Sequence, residues 1–107
     1  MQQLTAAQLK GWLDDEGRER PILLDVREPW EAQICRIPDS VHMPMREVPA
    51  RAGELDRATP VVAICHHGAR SMQVALLLEK NGHKNLYNLV GGVDAWSRTV
   101  DPSMPVY

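Results

Sequence analysis

Residues 60–81 read PVVAICHHGARSMQVALLLEKN. Val61-Val62-Ala63-Ile64 is a short, mostly β-branched run bounded by Pro60, which predicts a buried strand. The run from Met72 to Leu78, rich in Leu, Ala and Met, stops at Asn81-Gly82, an ordinary helix ending. Between the two lies Cys65-His66-His67-Gly68-Ala69-Arg70-Ser71. A cysteine therefore ends a strand, and a compact loop carries the chain into a helix. In parallel α/β sheets, sites form beyond the carboxyl ends of strands. Helix N-termini there offer unpaired N–H groups and a partial positive charge.

That position gives Cys65 a physical reason to react. The thiolate is the nucleophile, and a free cysteine titrates at about 8.5. Successive loop N–H groups, the helix dipole and Arg70 all favour the negative form. Gly68 lacks a Cβ and can take a left-handed turn that lets N–H groups converge. A core cysteine ending a strand is the plainer alternative, but it has no need of a Gly and an Arg immediately after it.

Outward from this stretch, strands and helices alternate. Thr5 with Gln8 fits a capping box, and Leu9, Trp12 and Leu13 at helical spacing predict a helix over 6–15, closed by Gly17. Ile22 to Val26 after Pro21 predicts a second buried strand, with Asp25 and Arg27 at its carboxyl end. Pro29 suits the first turn of a short helix over 29–34, and Glu28 and Glu31 suit its positive end. Val41-His42-Met43 predicts a short strand before Pro44, and 46–58 a helix broken near Pro49. Asn85 to Leu89 alternates as a strand, Gly91-Gly92 is a tight turn, and Val93, Ala95 and Trp96 suggest a last helix. The tail ends in apolar residues expected to dock on the body. Strands separated by helices imply a mostly parallel sheet covered on both faces.

The bounds agree with one such domain over 1–107. The chain has 107 residues, 44% apolar and 24% charged, with a net charge of -2. Nothing there argues for nucleic acid. No apolar run is long enough to span a bilayer, and MQQLTAAQLK lacks the form of a secretory signal. Two cysteines, Cys35 and Cys65, are too few for a disulfide framework. A reducing cytoplasm is the expected location.

Four pieces of this chain resemble the single-domain rhodaneses, thiosulfate sulfurtransferases. They are Leu24-Asp25-Val26-Arg27-Glu28, Ile37-Pro38, Cys65-x-x-Gly68-x-Arg70-Ser71 and Gly91-Gly92-x-x-x-Trp96. Each is weak alone; all four, in the family's order and at these spacings, make a strong signal. The resemblance implies a rhodanese-like α/β fold, a five-stranded mostly parallel sheet with helices on both faces. It also implies ping-pong transfer: Cys65 takes the outer sulfur of thiosulfate, releases sulfite, and passes the sulfur to cyanide or a thiol. The expected partners are a small-molecule sulfur donor and such an acceptor, with room for a sulfur-acceptor protein. One departure stands out. Cys35-Arg36-Ile37-Pro38-Asp39 stands where many members have Gly-His-Ile-Pro-Gly.

Cys65 is the expected catalytic residue. Arg70, as a planar donor fork, is expected to bind the anionic end of the donor. His66, His67, Gly68, Ala69, Ser71 and Arg27 are expected to line the substrate site, with Arg36 as added positive charge nearby. Asp25 reads better as half of a buried ion pair, Trp30 and Trp96 as core or pocket wall, and Cys35 as a packed thiol. No cofactor and no metal is expected. Adjacent Cys65, His66 and His67 rarely converge on one ion, and no second Cys/His pair has ligand spacing.

Two other functions compete. Cysteine-dependent phosphatases and arsenate reductases resemble this loop, but they place five residues between Cys and Arg, and here there are four. The shorter loop makes a narrower ring, better matched to one sulfur atom than to a tetrahedral oxyanion. A sulfur carrier or non-catalytic module would share the same loop and is separated from an enzyme by turnover.

Overall fold

Apolar side chains along the central strands point alternately to the two faces of the sheet, and this sorts the core into two layers. The computed structural model describes residues 1–107. Its elements run β1 (Gln2–Leu4), α1 (Ala6–Asp14), β2 (Ile22–Asp25), α2 (Pro29–Ile34), β3 (Val41–His42), α3 (Val48–Arg51), β4 (Val61–Ile64), α4 (Ala69–Lys80), β5 (Leu86–Leu89) and α5 (Gly92–Thr99). Single 3₁₀ turns, Met45–Glu47 and Ala52–Glu54, flank α3. The five strands form one sheet in the order β1-β5-β4-β2-β3, every pair parallel.

Val62, Ile64, Leu23 and Leu89 face the layer built by α1, α5 and the tail, with Trp12, Trp96 and Met104 at its centre. Val61, Ala63, Leu24 and Leu86 face the layer under α4, with Val74, Ala75 and Leu78. All four residues of β4 are buried, as a central parallel strand with helices on both faces requires. Each such Val, Leu or Ile side chain contributes about 1.5–3 kcal/mol when removed from water.

Most expected elements are present, within a residue or two of their predicted ends. The capping box of α1 forms: Thr5 Oγ1 accepts from Gln8 N at 3.1 Å, and Gln8 Oε1 from Thr5 N at 2.9 Å. Three points differ and one is narrowed. Helix α1 ends at Asp14 and is closed by Asp15 as its C-cap rather than by Gly17. The helix expected over 46–58 is three short pieces, because Pro49 can lie only in a first turn. Trp30 is 60% exposed and so is not core, which leaves only the second of the two roles expected for it, core or pocket wall. The edge strand β1 has no strand signal, since two of its three residues are glutamines.

The connections leaving β2 and β4, which are neighbours, run in opposite directions: β2 continues outward to β3, and β4 continues the other way to β5. The gap between their carboxyl ends is the switch point of the sheet, where parallel α/β folds bind ligands. Cys65 follows β4 there, and Arg27 and α2 follow β2.

Candidate active site

Cys65 is 1% exposed. The loop after it curls back on the sulfur. Gly68 N–H donates to Sγ at 3.1 Å and Ser71 Oγ lies 3.3 Å from it. Burial pushes the Cys65 thiol up, but the Ser71 hydroxyl and the N–H groups of Ser71, Gly68 and His67 pull harder the other way, so its pKa lies below the ordinary value. The dipole of the twelve-residue α4 adds to this.

Two glycines make the curl possible. Gly68, the N-cap of α4, takes φ +107°, the left-handed region that L side chains avoid. Gly92 takes φ +57° directly beneath the loop. A Cβ there would stand 2.3 Å from the carbonyl oxygen of Cys65 and 2.4 Å from that of His66. The close approach lets Val93 N donate to Cys65 O at 2.9 Å and Asp94 N to His66 O at 3.2 Å. This is the physical reason for Gly91-Gly92 in the chain: α5 holds the loop from below.

Ser71 is fully buried and joins the sulfur to Asn88 on β5. Its Oγ lies 2.5 Å from Asn88 Oδ1, while Asn88 Nδ2 donates to Gln3 Oε1 at 2.9 Å and to Gly68 O at 3.1 Å. A serine hydroxyl carries one proton. That proton can serve only one of Asn88 Oδ1 and the Cys65 sulfur at a time.

The arginines divide. Arg27 is 0% exposed and does not reach the site surface. Its Nε and Nη2 donate to the Asp25 carboxylate at 2.9 and 2.8 Å, and its remaining N–H groups reach the carbonyl oxygens of Glu31 and Cys35 and the Tyr107 hydroxyl. The expectation that Arg27 lines the substrate site is therefore corrected. It is the internal strut tying β2 to α2, because a buried guanidinium must spend every donor on a protein acceptor. The ion pair foreseen for Asp25 is present.

Arg70 lies at the mouth, but it is not free. Both Nη atoms donate to Glu31, at 2.6 and 2.8 Å. The Glu31 carboxylate is 3% exposed and also accepts from Tyr107 Oη at 2.7 Å and Glu28 N at 3.0 Å. The Arg70 hydrogen bonds, joined by those of Tyr107 and Glu28, outweigh burial and bring Glu31 down to about 2. The Tyr107 ring stacks on His66, 3.8 Å apart and 5° from parallel, and meets Trp30 edge-on at 6.1 Å. Glu31, Tyr107 and Asn88 are parts of the site that sequence reasoning missed. Glu31 carried only a helix-start signal, Tyr107 only that of an apolar tail expected to dock, and Asn88 only its place in a strand.

The His67 ring lies 3.9 Å from that of His66, tilted by 31° to it. Donor atoms of His66, His67 and Asp94 lie within 4.8 Å of one another. Asp94 Oδ2 accepts from Arg98 Nε at 3.1 Å. Arg36 is exposed and donates to Ser40 O at 3.2 Å. Ala69, exposed, opens α4. Two surface concavities of about 310 Å³ each, one between α1, α5 and Pro38 and one beside Thr5, Val90 and Ala95, do not include Cys65.

Comparison with known proteins agrees with this architecture. The family model described as a rhodanese-like domain matches residues 5–99. A sulfurtransferase of Allochromatium vinosum is 39% identical over 80 residues, 75% of this chain and 75% of that protein. The putative sulfur carrier protein YrkF of Bacillus subtilis is 41% identical over 75 residues, 70% of this chain and 40% of that one. Relatives differ widely in length, and the aligned part spans from 21% to 84% of them. A rhodanese-like domain protein from Staphylococcus aureus superposes with a TM-score of 0.85 over 100% of this chain and 99% of that one, at 27% identity. No helix is long and apolar enough to cross a membrane.

Proposed function

The chain belongs to the rhodanese-like domain family, and from that premise we propose that it transfers sulfane sulfur through a persulfide on Cys65. The Cys65 thiolate attacks the outer sulfur of thiosulfate. The S–S bond breaks, sulfite leaves with its electron pair, and Cys65–S–S⁻ remains. Cyanide in an assay, or a thiol, then attacks the terminal sulfur and restores the thiolate. One observation carries this reading: the Cys65 sulfur sits inside converging N–H and O–H donors at a helix N-terminus. Such a ring favours the thiolate before reaction and the negative persulfide after it. The roles are Cys65 as nucleophile, with His66, His67, Gly68, Ala69 and Ser71 as the loop around the transferred sulfur and Arg70 at its mouth. The reaction needs free thiols, and so a reducing compartment such as the cytoplasm.

The test is direct. The protein is incubated with excess thiosulfate, freed of small molecules, and weighed intact without reductant. A gain of one sulfur atom, mapped to the peptide containing Cys65 and removed by cyanide as thiocyanate, is expected. An unchanged mass with Cys65 a free thiol would overturn the reading. Charging without turnover would instead favour a carrier, the role in the name of YrkF. Phosphatase chemistry requires an arginine turned into the loop. Arg70 is turned to Glu31, so no hydrolysis of p-nitrophenyl phosphate is expected.

A further inference from the structure

Resting on the sulfur-transfer reading, we propose that Glu31 is a specificity-determining residue. By neutralising Arg70, it tunes the site to an organic sulfur donor with one negative charge or none, a persulfide or thiosulfonate, over the dianion thiosulfate.

A dianion approaching a thiolate needs positive charge to meet it. Three arginines near the Cys65 loop are engaged by carboxylates: Arg27 by Asp25 at 2.8 Å, Arg70 by Glu31 at 2.6 Å, Arg98 by Asp94 at 3.1 Å; Arg36, exposed, is held by the Ser40 carbonyl at 3.2 Å. Arg46, after β3, is held by Glu28 at 2.6 Å. His66 and His67 also face a carboxylate, that of Asp94. Glu31 cannot step aside, because it is buried and saturated by donors from Arg70, Tyr107 and Glu28. Arg70 therefore presents half of a neutral pair, although its guanidinium is close enough to feel the Cys65 thiolate. What still attracts negative charge is the N–H ring, fitted to one sulfur and one charge. The surface beside it is organic. The Tyr107 ring covers His66, and Trp30, 60% exposed, lies edge-on to it. A carbon-bound donor finds aromatic contact there that sulfite does not use.

The chemistry balances without an outside oxidant or reductant. The Cys65 thiolate attacks the outer sulfur of R–S–SH, the S–S bond breaks, and RS⁻ leaves with the bonding pair. Cys65–S–SH then loses its proton to water. From a thiosulfonate, RSO₂–S⁻, the leaving group is the sulfinate RSO₂⁻ and the product is Cys65–S–S⁻.

Methanethiosulfonate and thiosulfate isolate the charge, since a methyl group replaces one O⁻. Their kcat/KM values are measured with cyanide as acceptor, each divided by that donor's uncatalysed rate with a small thiol. The wild type is expected to favour methanethiosulfonate by at least about tenfold. Glu31→Gln keeps an acceptor for Tyr107 but frees the Arg70 charge. It is expected to shift the ratio about tenfold toward thiosulfate, mostly through the thiosulfate KM, because the dianion gains more from the freed charge than the monoanion does. A wild type that prefers thiosulfate, or a ratio that Glu31→Gln does not move, overturns the inference and leaves the sulfurtransferase reading standing. If that variant does not fold, salt decides on the wild type. Thiosulfate kcat/KM should change less than about twofold between about 20 and about 300 mM NaCl, and a steep fall would reveal a free cation and overturn it. Failure of both donors to leave sulfur on Cys65 overturns the underlying reading, and this inference with it.

Discussion

The chain has two cysteines, both buried and both free, and they differ in everything else. Cys65, at 1% exposure, is the more deeply covered; Cys35 is at 7%. Burial alone opposes a thiolate, so burial is not what prepares Cys65. The difference is in the donors. Cys65 ends a central strand at the switch point, where a glycine-bent loop and a helix N-terminus turn N–H and O–H groups onto its sulfur. Cys35 follows the short α2 and packs in the layer formed by α1 and α5. Its sulfur has one long contact, Arg27 Nη1 at 3.8 Å. Reactivity here is a property of the loop around the sulfur, not of exposure.

The sharpest way to break the comparison is to remove one sulfur. Cys65→Ser should abolish sulfur uptake from any donor, a loss of roughly 10³-fold or more, because serine lacks a nucleophile ionised near neutral pH. Circular dichroism and the melting temperature should stay close to wild type. Persistent uptake in this variant would move the chemistry to Cys35.

Removing a donor rather than the sulfur sharpens it. Ser71→Ala takes away the hydroxyl that opposes burial most strongly at Cys65. The thiol pKa then rises. The thiolate is the reactive form, so the profile of sulfur uptake against pH should move to higher pH. At neutral pH the rate should fall about tenfold, the worth of one hydrogen bond to a charged group, about 1.5 kcal/mol. Above the new pKa the two proteins should converge. An unmoved profile would mean that the loop N–H groups suffice and that Ser71 serves Asn88 alone.

How much of this was legible follows from the kind of interaction involved. The strand-loop-helix around Cys65 is local, and its composition showed it. The alternation of elements showed the layers. The role of Gly92 is only half local: a tight turn was readable at Gly91-Gly92, but not that its second residue lies against the Cys65 carbonyl. The partners of the arginines were not readable for the same reason. Nothing in Asp25-Val26-Arg27 says that the guanidinium turns inward to meet Cys35 and Tyr107, and nothing in Arg70 says that its partner is 39 residues away. Glu31 looked like a helix-start acid and is one: its Oε1 accepts from Glu28 N. That it also saturates Arg70 is a tertiary fact with no sequence period to announce it.

The smallest effect is expected at the other cysteine. Cys35→Ser replaces a buried thiol by a hydroxyl of similar shape. The new group can accept from Arg27 Nη1, and the stronger Arg27 bond, to the Cys35 carbonyl at 2.6 Å, belongs to the backbone and survives. The cost should be about 1 kcal/mol of stability, from placing a polar atom in an apolar layer. Sulfur uptake and transfer should stay within about twofold of wild type, since no donor ring, helix terminus or loop contact of Cys65 is touched. A relay would behave differently. If sulfur passed from Cys65 to Cys35, the variant would still charge at Cys65 but stall in transfer to a thiol acceptor, with the persulfide accumulating on intact mass. That outcome would show that a thiol without donors can still serve as a sulfur port, and the contrast between the two cysteines would become one of sequence in a reaction rather than of reactivity.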